Sequence, residues 1–178
     1  MSENALLDKE KDTVLNGVNV TKFFEVIDII KETPEVGKFV FRNKNEWITG
    51  GQNISSIDGF YGAMKEQKRE QPFALVNDEP PVLLGSDKGA SPVEQLLHGL
   101  AGCITATTIY HAASKGIKID EMETKFEGDL DLQGFLGLSE NIRNGFEKIR
   151  VSVKIKSDAS QEQLEELVKL AERRSPVY

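Results

Sequence analysis

The chain has 178 residues, a formal net charge of -7 and 39% apolar residues, which suits one domain with a sizeable core or one domain plus a short appendage. Its Lys and Arg are interleaved with acids, as in KEQKRE and LEELVKLAERR, and this argues against the clustered basic surface that nucleic acid requires. A single cysteine excludes an intramolecular disulfide and any CxxC metal site.

No apolar run is long enough to span a membrane. The charged N-terminus MSENALLDKEKD lacks the apolar core of a secretory signal, so a cytoplasmic location is expected. Residues 1–18 are polar, with a weak helical pattern. In VTKFFEVIDIIKET, Val20, Phe23, Phe24, Ile27 and Ile30 recur at helical spacing, and Pro34 and Gly37 end the helix they predict. Residues 1–37 thus read as a helical extension whose apolar face meets either the rest of the chain or a second subunit.

From Lys38 the period changes. KFVFRNKNEWITGGQNISSIDGFYGA alternates around Gly50-Gly51, which predicts two antiparallel strands joined by a hairpin. MKEQKREQ reads as a polar connection. PFALVNDEPPVLLG reads as a third strand broken by Pro80-Pro81, because proline cannot donate to a ladder. Ser91 as N-cap and Pro92 at the first helical position open a long helix that Gly116 closes. IKIDEMETKFEGDLDLQG then alternates as a strand, with Ile117, Ile119, Met122, Phe126, Leu130 and Leu132 as its apolar contribution. FLGLSENIRNG is a loop, and FEKIRVSVKIKSD alternates again. Ser160 caps a last helix with Leu164, Leu167, Val168 and Ala171 on one face. This order predicts an α+β domain over residues 38–178, with helices covering one face of an antiparallel sheet.

The only thiol, Cys103, falls inside the long helix SPVEQLLHGLAGCITATTIYHAASKGI. Two histidines invite a Cys–His nucleophile. At 100° per residue, however, His98 lies about 140° around the helix from Cys103, and His111 about 80° off and roughly 12 Å along the axis. Neither reaches the thiol from within that helix. Leu96, Gly99, Leu100, Ala106, Thr107 and Tyr110 lie within about 60° of Cys103, so the thiol is expected to point at packed apolar matter. Gly99 and Gly102 cost helix stability, about 1 kcal/mol each, and allow close approach of another backbone or of a flat ligand. Glu94 sits in the first turn, where a carboxylate favours the helix dipole. These residues alone leave open whether Cys103 is a reagent or a small core residue.

The run EPPVLLGSDKGASPVE, the long helix around Cys103, the strand–loop–strand EGDLDLQGFLGL…RNGFEKIRVSVKIKSDAS and the terminal LVKLAERRSPV resemble the OsmC/Ohr family of osmotically induced and organic-hydroperoxide-resistance proteins. The resemblance runs from about Phe39 to Tyr178 and leaves residues 1–37 outside it. It implies an OsmC-like fold, two intertwined α+β subunits sharing sheet strands around two long central helices. It also implies reduction of organic hydroperoxides by a cysteine that corresponds to Cys103, through a sulfenic acid that condenses with a second cysteine. An arginine and a glutamate hold the thiolate in peroxidase members. Here Ser175 stands at the second cysteine position, Gln52 at the arginine and Val93 at the glutamate, with Glu94 one position late. Arg42 in the first strand is the substitute cation the sequence offers. The family's pattern continues past Ser-Pro-Val-Tyr into a last strand.

Two functions follow as expectations. One is thiol-dependent reduction of organic hydroperoxides through Cys103, recycled by an external thiol, in a homodimer that needs no cofactor and no metal. The other is a non-catalytic dimer that holds a small apolar ligand in an interface pocket, with Cys103 in its wall.

Overall fold

The computed structural model describes residues 12–178. The chain enters through a small hairpin, β1 (Val14–Leu15) and β2 (Val18–Asn19), followed by helix α1 (Val20–Glu32). Asn16 and Gly17 both adopt positive φ, 53° and 76°, the two-residue turn that matches the twist of paired strands. The described part of residues 1–18 is therefore a hairpin and not weakly helical; Asn-Gly between Val14-Leu15 and Val18 was the signal. Asn19 caps α1 by accepting the Lys22 N–H at 2.9 Å. Pro34 and Gly37 bound a short 3-10 turn after it, as expected.

A four-stranded antiparallel sheet follows: β3 (Val40–Phe41), β4 (Lys44–Thr49), β5 (Gln52–Gly62) and β6 (Lys65–Asn77). The β4–β5 hairpin turns at Gly50-Gly51, as the sequence predicts, with Thr49 opposite Gln52. The segment read as a polar connection is instead the first half of β6, paired from Gly62↔Lys65 onward. Its turn consists of Ala63 and Met64, both left-handed at φ 50° and 62°. Residues with a Cβ resist that conformation by roughly 1–2 kcal/mol each, so no turn-forming residue marked the hairpin; the long β5–β6 pairing offsets the cost. Pro72 is accommodated where the register shifts, with Asp58 alone facing residues 69–72 between the pairs Ile57↔Phe73 and Gly59↔Lys68.

Asp78 closes β6 and organises the loop behind it. Only 2% exposed, its carboxylate accepts the N–H groups of Glu79 at 2.8 Å and of Ser86 and Lys88 at 3.1 Å. Gly85 crosses so close to the Glu79 carbonyl that a Cβ there would lie 1.7 Å from its oxygen. This folded loop delivers the chain to helix α2 (Pro92–Ser114).

Strand β7 (Glu121–Asp129) pairs in unbroken register with β8 (Lys148–Lys156). Acids of β7 face bases of β8, as in Glu121↔Lys156, Glu123↔Lys154 and Glu127↔Arg150, while Met122, Phe126, Val151, Val153 and Ile155 alternate onto the other face. Pairing of opposite charges and the apolar alternation together fix the register. Ile117, Ile119, Leu130 and Leu132 lie outside the strand, contrary to expectation, and Leu132 opens the short helix α3 (Leu132–Phe135), capped by Asp131. Helix α4 (Gln161–Arg174) starts at Ser160, as predicted.

Helix α2 is packed chiefly on α4 and β7. Its buried stripe is Leu100, Ile104, Thr108 and Ala112, at i+4 spacing, and α4 contributes Leu167 and Ala171. The Thr108 hydroxyl is satisfied within the helix by the Ile104 carbonyl at 2.8 Å. The expectation of helices over one common sheet is corrected here. They cover β7–β8, while the four-stranded sheet forms a separate unit carrying exposed Phe41, Phe73 and a 74% exposed Trp47. Total accessible surface is 13501 Å², against roughly 8,600 Å² for a compact monomer of this mass. Among the described residues no helix is long and apolar enough to cross a membrane.

The N-terminal hairpin is tied to the end of α2 by one side chain. Asn16 Nδ2 donates to the Ile117 carbonyl at 2.8 Å and its Oδ1 accepts the Ile119 N–H at 2.9 Å. Replacing Asn16 by Ala strands both backbone groups and is expected to cost about 1–3 kcal/mol. Hydrogen exchange should then speed up in residues 14–32 and not in α4; unchanged protection of α1 would contradict this.

Burial pushes the Asp78 carboxyl up, but the N–H donors of Lys88, Glu79 and Ser86 and the Lys88 charge outweigh it and hold the group below the usual carboxylate range. Its contribution to stability is therefore complete above about pH 4 and is lost as pH falls below that value. The urea midpoint of the wild type should drop more steeply between about pH 5 and pH 2 than that of Asp78→Asn. Parallel profiles would refute the assignment.

Candidate functional site

Two elements meet at Cys103, α2 and the C-terminal end of α4, and α2 also lines a groove with β8. Ser91 and Glu94 form a reciprocal cap at the start of α2, with Pro92 between them. The Glu94 carboxylate accepts both the N–H and the hydroxyl of Ser91, each at 2.8 Å. Those bonds hold it below the usual carboxylate range. Glu94 is thus occupied at the helix start, nine residues from the thiol.

Cys103 is half-buried. It precedes Ile104 of the buried stripe and so lies at the edge of the α2–α4 contact. Its polar partner is Ser175, the C-cap of α4, whose hydroxyl donates to Sγ at 3.0 Å. The Ser175 N–H closes α4 on the Ala171 carbonyl at 2.8 Å, which fixes where the side chain points. Ser175 Oγ in turn accepts the N–H groups of Val177 and Tyr178.

The face of α2 that carries Cys103 is not buried within the chain, which corrects the expectation of packed apolar surroundings. Leu96 and Tyr110 are about half exposed, and a Cβ built on Gly99 or Gly102 would meet nothing within 4 Å. Apolar composition identified a face that needs covering. It did not reveal how little of that face the described residues cover, where Phe23 of α1 stacks on Tyr110 at 5.8 Å.

Beside this edge runs a groove of about 940 Å³. Val93, Leu100 and Ile104 of α2 form one wall, and Ile149, Val151 and Val153 of β8 form another. Val177 and Tyr178 close one end, with Arg143, Lys148, Glu147 and Glu172 as its charged residues. The Tyr178 hydroxyl donates to Glu172, and this bond raises the phenol above its ordinary range. Val93 occupies this wall, so the place the resemblance gives to a glutamate is apolar here.

The other candidates lie elsewhere. Gln52 opens β5 in the separate sheet. Arg42 makes a two-pronged pair with Glu66, at 2.8 and 3.0 Å, on the exposed sheet surface, so it is spoken for and does not replace the missing cation. His98 is exposed on α2. His111, near the helix end, is held below the usual imidazole range by burial and by Lys115 and Arg174. Neither histidine contacts Cys103, in agreement with helix geometry. Among the described residues, no three His, Cys, Asp or Glu side chains come together to hold a metal. The turn at Ser175 was missed by sequence reasoning beyond its lack of a thiol, although Ser-Pro-Val-Tyr is a serine-turn pattern.

A sequence model described as OsmC-like protein matches residues 85–178, from the loop before α2 to Tyr178. The chain belongs to the OsmC-like family. A search of curated protein sequences finds no match. The fold resembles that of an OsmC-like protein from Mycoplasma pneumoniae, 19% identical, with a TM-score of 0.60 over 78% of this chain and 84% of that one. It also resembles an OsmC-like protein of unknown function from Vibrio cholerae, 11% identical, with a TM-score of 0.59 over 78% of this chain and 90% of the other. At these identities the likeness speaks for the fold alone. That fold is the OsmC-like α+β arrangement, with a single cysteine on its long helix.

The contact between Ser175 and Cys103 has a direct consequence in this OsmC-like chain. Substituting Ser175→Cys should let mild oxidation join the two positions, because side-chain atoms already 3.0 Å apart need only a small adjustment to reach the ~2.05 Å of a disulfide. Both free thiols should disappear on oxidation and return with dithiothreitol. Two thiols that stay titratable in the oxidised, folded variant would contradict the placement.

Proposed function

We infer that this OsmC-like protein is a thiol-dependent hydroperoxide reductase acting through Cys103. The observation that carries this reading is the position of the sulfur: half-buried on α2 and facing a hydroxyl at 3.0 Å, on the helix whose Leu96, Leu100 and Ile104 line a largely apolar groove. The thiolate attacks the terminal oxygen of ROOH, the O–O bond breaks, ROH departs and Cys103 becomes a sulfenic acid. Ser175 has no sulfur with which to condense. An external thiol R′SH therefore displaces water to give Cys103–S–SR′, and a second R′SH restores the thiol and releases R′SSR′. The net reaction is ROOH + 2 R′SH → ROH + H₂O + R′SSR′, which suits a reducing, cytoplasmic compartment.

The same reading includes a second copy of the chain. Exposed apolar side chains on α2 and on the separate sheet, among them Leu96, Tyr110, Phe41 and Trp47, form the surface that copy would cover. The open Gly99 and Gly102 on α2 favour close approach.

A second reading is favoured by one observation, the loss of charge at the positions the resemblance gives to the thiolate's partners: Gln52 and Val93 are neutral and Arg42 is taken by Glu66. In that reading the groove holds an apolar ligand and the thiol is wall.

The two are separated by adding one equivalent of cumene hydroperoxide to the reduced protein. The reductase consumes about one equivalent per chain, forms a sulfenic acid that dimedone traps, and turns over when dithiothreitol is supplied. Cys103→Ser abolishes all three. A folded wild-type protein whose Cys103 leaves the hydroperoxide untouched would overturn the enzyme reading in favour of the binding one.

A further inference from the structure

We propose that Ser175 is a positioning residue for the reactive sulfur, its hydroxyl proton aimed at Cys103 by the backbone turn that follows it. This rests on Cys103 being the nucleophile, as inferred above. A serine oxygen carries one proton and two acceptor lone pairs. The Val177 N–H occupies one lone pair at 3.4 Å and the Tyr178 N–H the other at 3.3 Å. Only the proton remains, and the one acceptor before it is Sγ, 3.0 Å away. The direction of the hydrogen bond is therefore set by the turn: oxygen donates, sulfur accepts.

A donor aimed at sulfur favours the thiolate, the nucleophilic form. The donor is neutral, which suits a site where Glu94 is held by its cap and Arg42 by Glu66. The same turn places Val177 and Tyr178 on the groove wall, and Tyr178 is anchored to Glu172. One short segment thereby orients the sulfur and shapes the entrance that an organic hydroperoxide uses. Position 175 thus acts on the charge of the sulfur before oxygen transfer, where a second cysteine would act after it.

The test compares iodoacetamide alkylation of the folded wild type, Ser175→Ala and Ser175→Thr. At about pH 7, where a thiol is mostly protonated, Ser175→Ala should react about tenfold more slowly than wild type. At about pH 10, where thiols are ionised regardless of the donor, the two should match. Ser175→Thr keeps the hydroxyl and should stay near wild type at both values. Equal slowing of Ser175→Ala at both pH values, as altered access would produce, overturns the proposal. So does a wild-type rate in Ser175→Ala at about pH 7, or a Thr variant as slow as Ala. A wild-type Cys103 that is inert at both pH values removes the nucleophile itself, and with it the reductase reading.

Discussion

A helix can bury only the faces its neighbours cover, and α2 has more apolar face than its own chain supplies cover for. The stripe through Leu100, Ile104, Thr108 and Ala112 is closed by α4 and β7. The neighbouring stripe through Leu96, Gly99, Gly102, Ala106 and Tyr110 faces outward, with α1 touching only its Tyr110 end. Cys103 stands on the boundary between the two. The detached four-stranded sheet, with Trp47 and Phe41 in solvent, and the loop tip where Leu84 is 95% exposed repeat the pattern. Isolated exposed apolar residues are ordinary, but contiguous apolar faces on several elements mark surfaces that meet other matter.

Local chemistry was legible in the sequence wherever a residue type has one strong local use. Ser91-Pro92 and Ser160 opened helices, Gly50-Gly51 turned a hairpin, and alternation located β7 and β8, though Ile117, Ile119, Leu130 and Leu132 fall outside β7. The hairpin at Ala63-Met64 was not legible, because long-range pairing imposes a left-handed backbone that those residues do not advertise. Asn16-Gly17 was legible and overlooked; polar neighbours masked a turn signal two residues wide. For the site, the sequence located Cys103 and its lack of a histidine partner, since helix geometry is local. The partnership with Ser175 spans 72 residues and depends on how α4 docks, which no spacing encodes.

Charges near the site are committed in ways that bear on mechanism. Glu94 is held by the cap that starts α2, and Arg42 by Glu66 on a sheet surface. Surface pairs of that kind contribute little to stability, yet they keep each group from other work. What remains at Cys103 is a hydroxyl, a turn and an apolar groove. The charges that line the groove are mixed, Arg143 and Lys148 beside Glu147 and Glu172, so they present no field of a single sign. In the proposed reaction an outside thiol meets the oxidised sulfur, since Ser175 has no sulfur with which to resolve it.

In the proposed reading a second copy of the chain covers the open α2 face and the separate sheet. Sedimentation equilibrium at low micromolar concentration measures this most directly. Such a dimer gives a single species at twice the chain mass of 19.8 kDa, with no detectable monomer down to the lowest concentration tested. A stable, cooperatively folded monomer at the single-chain mass would contradict it.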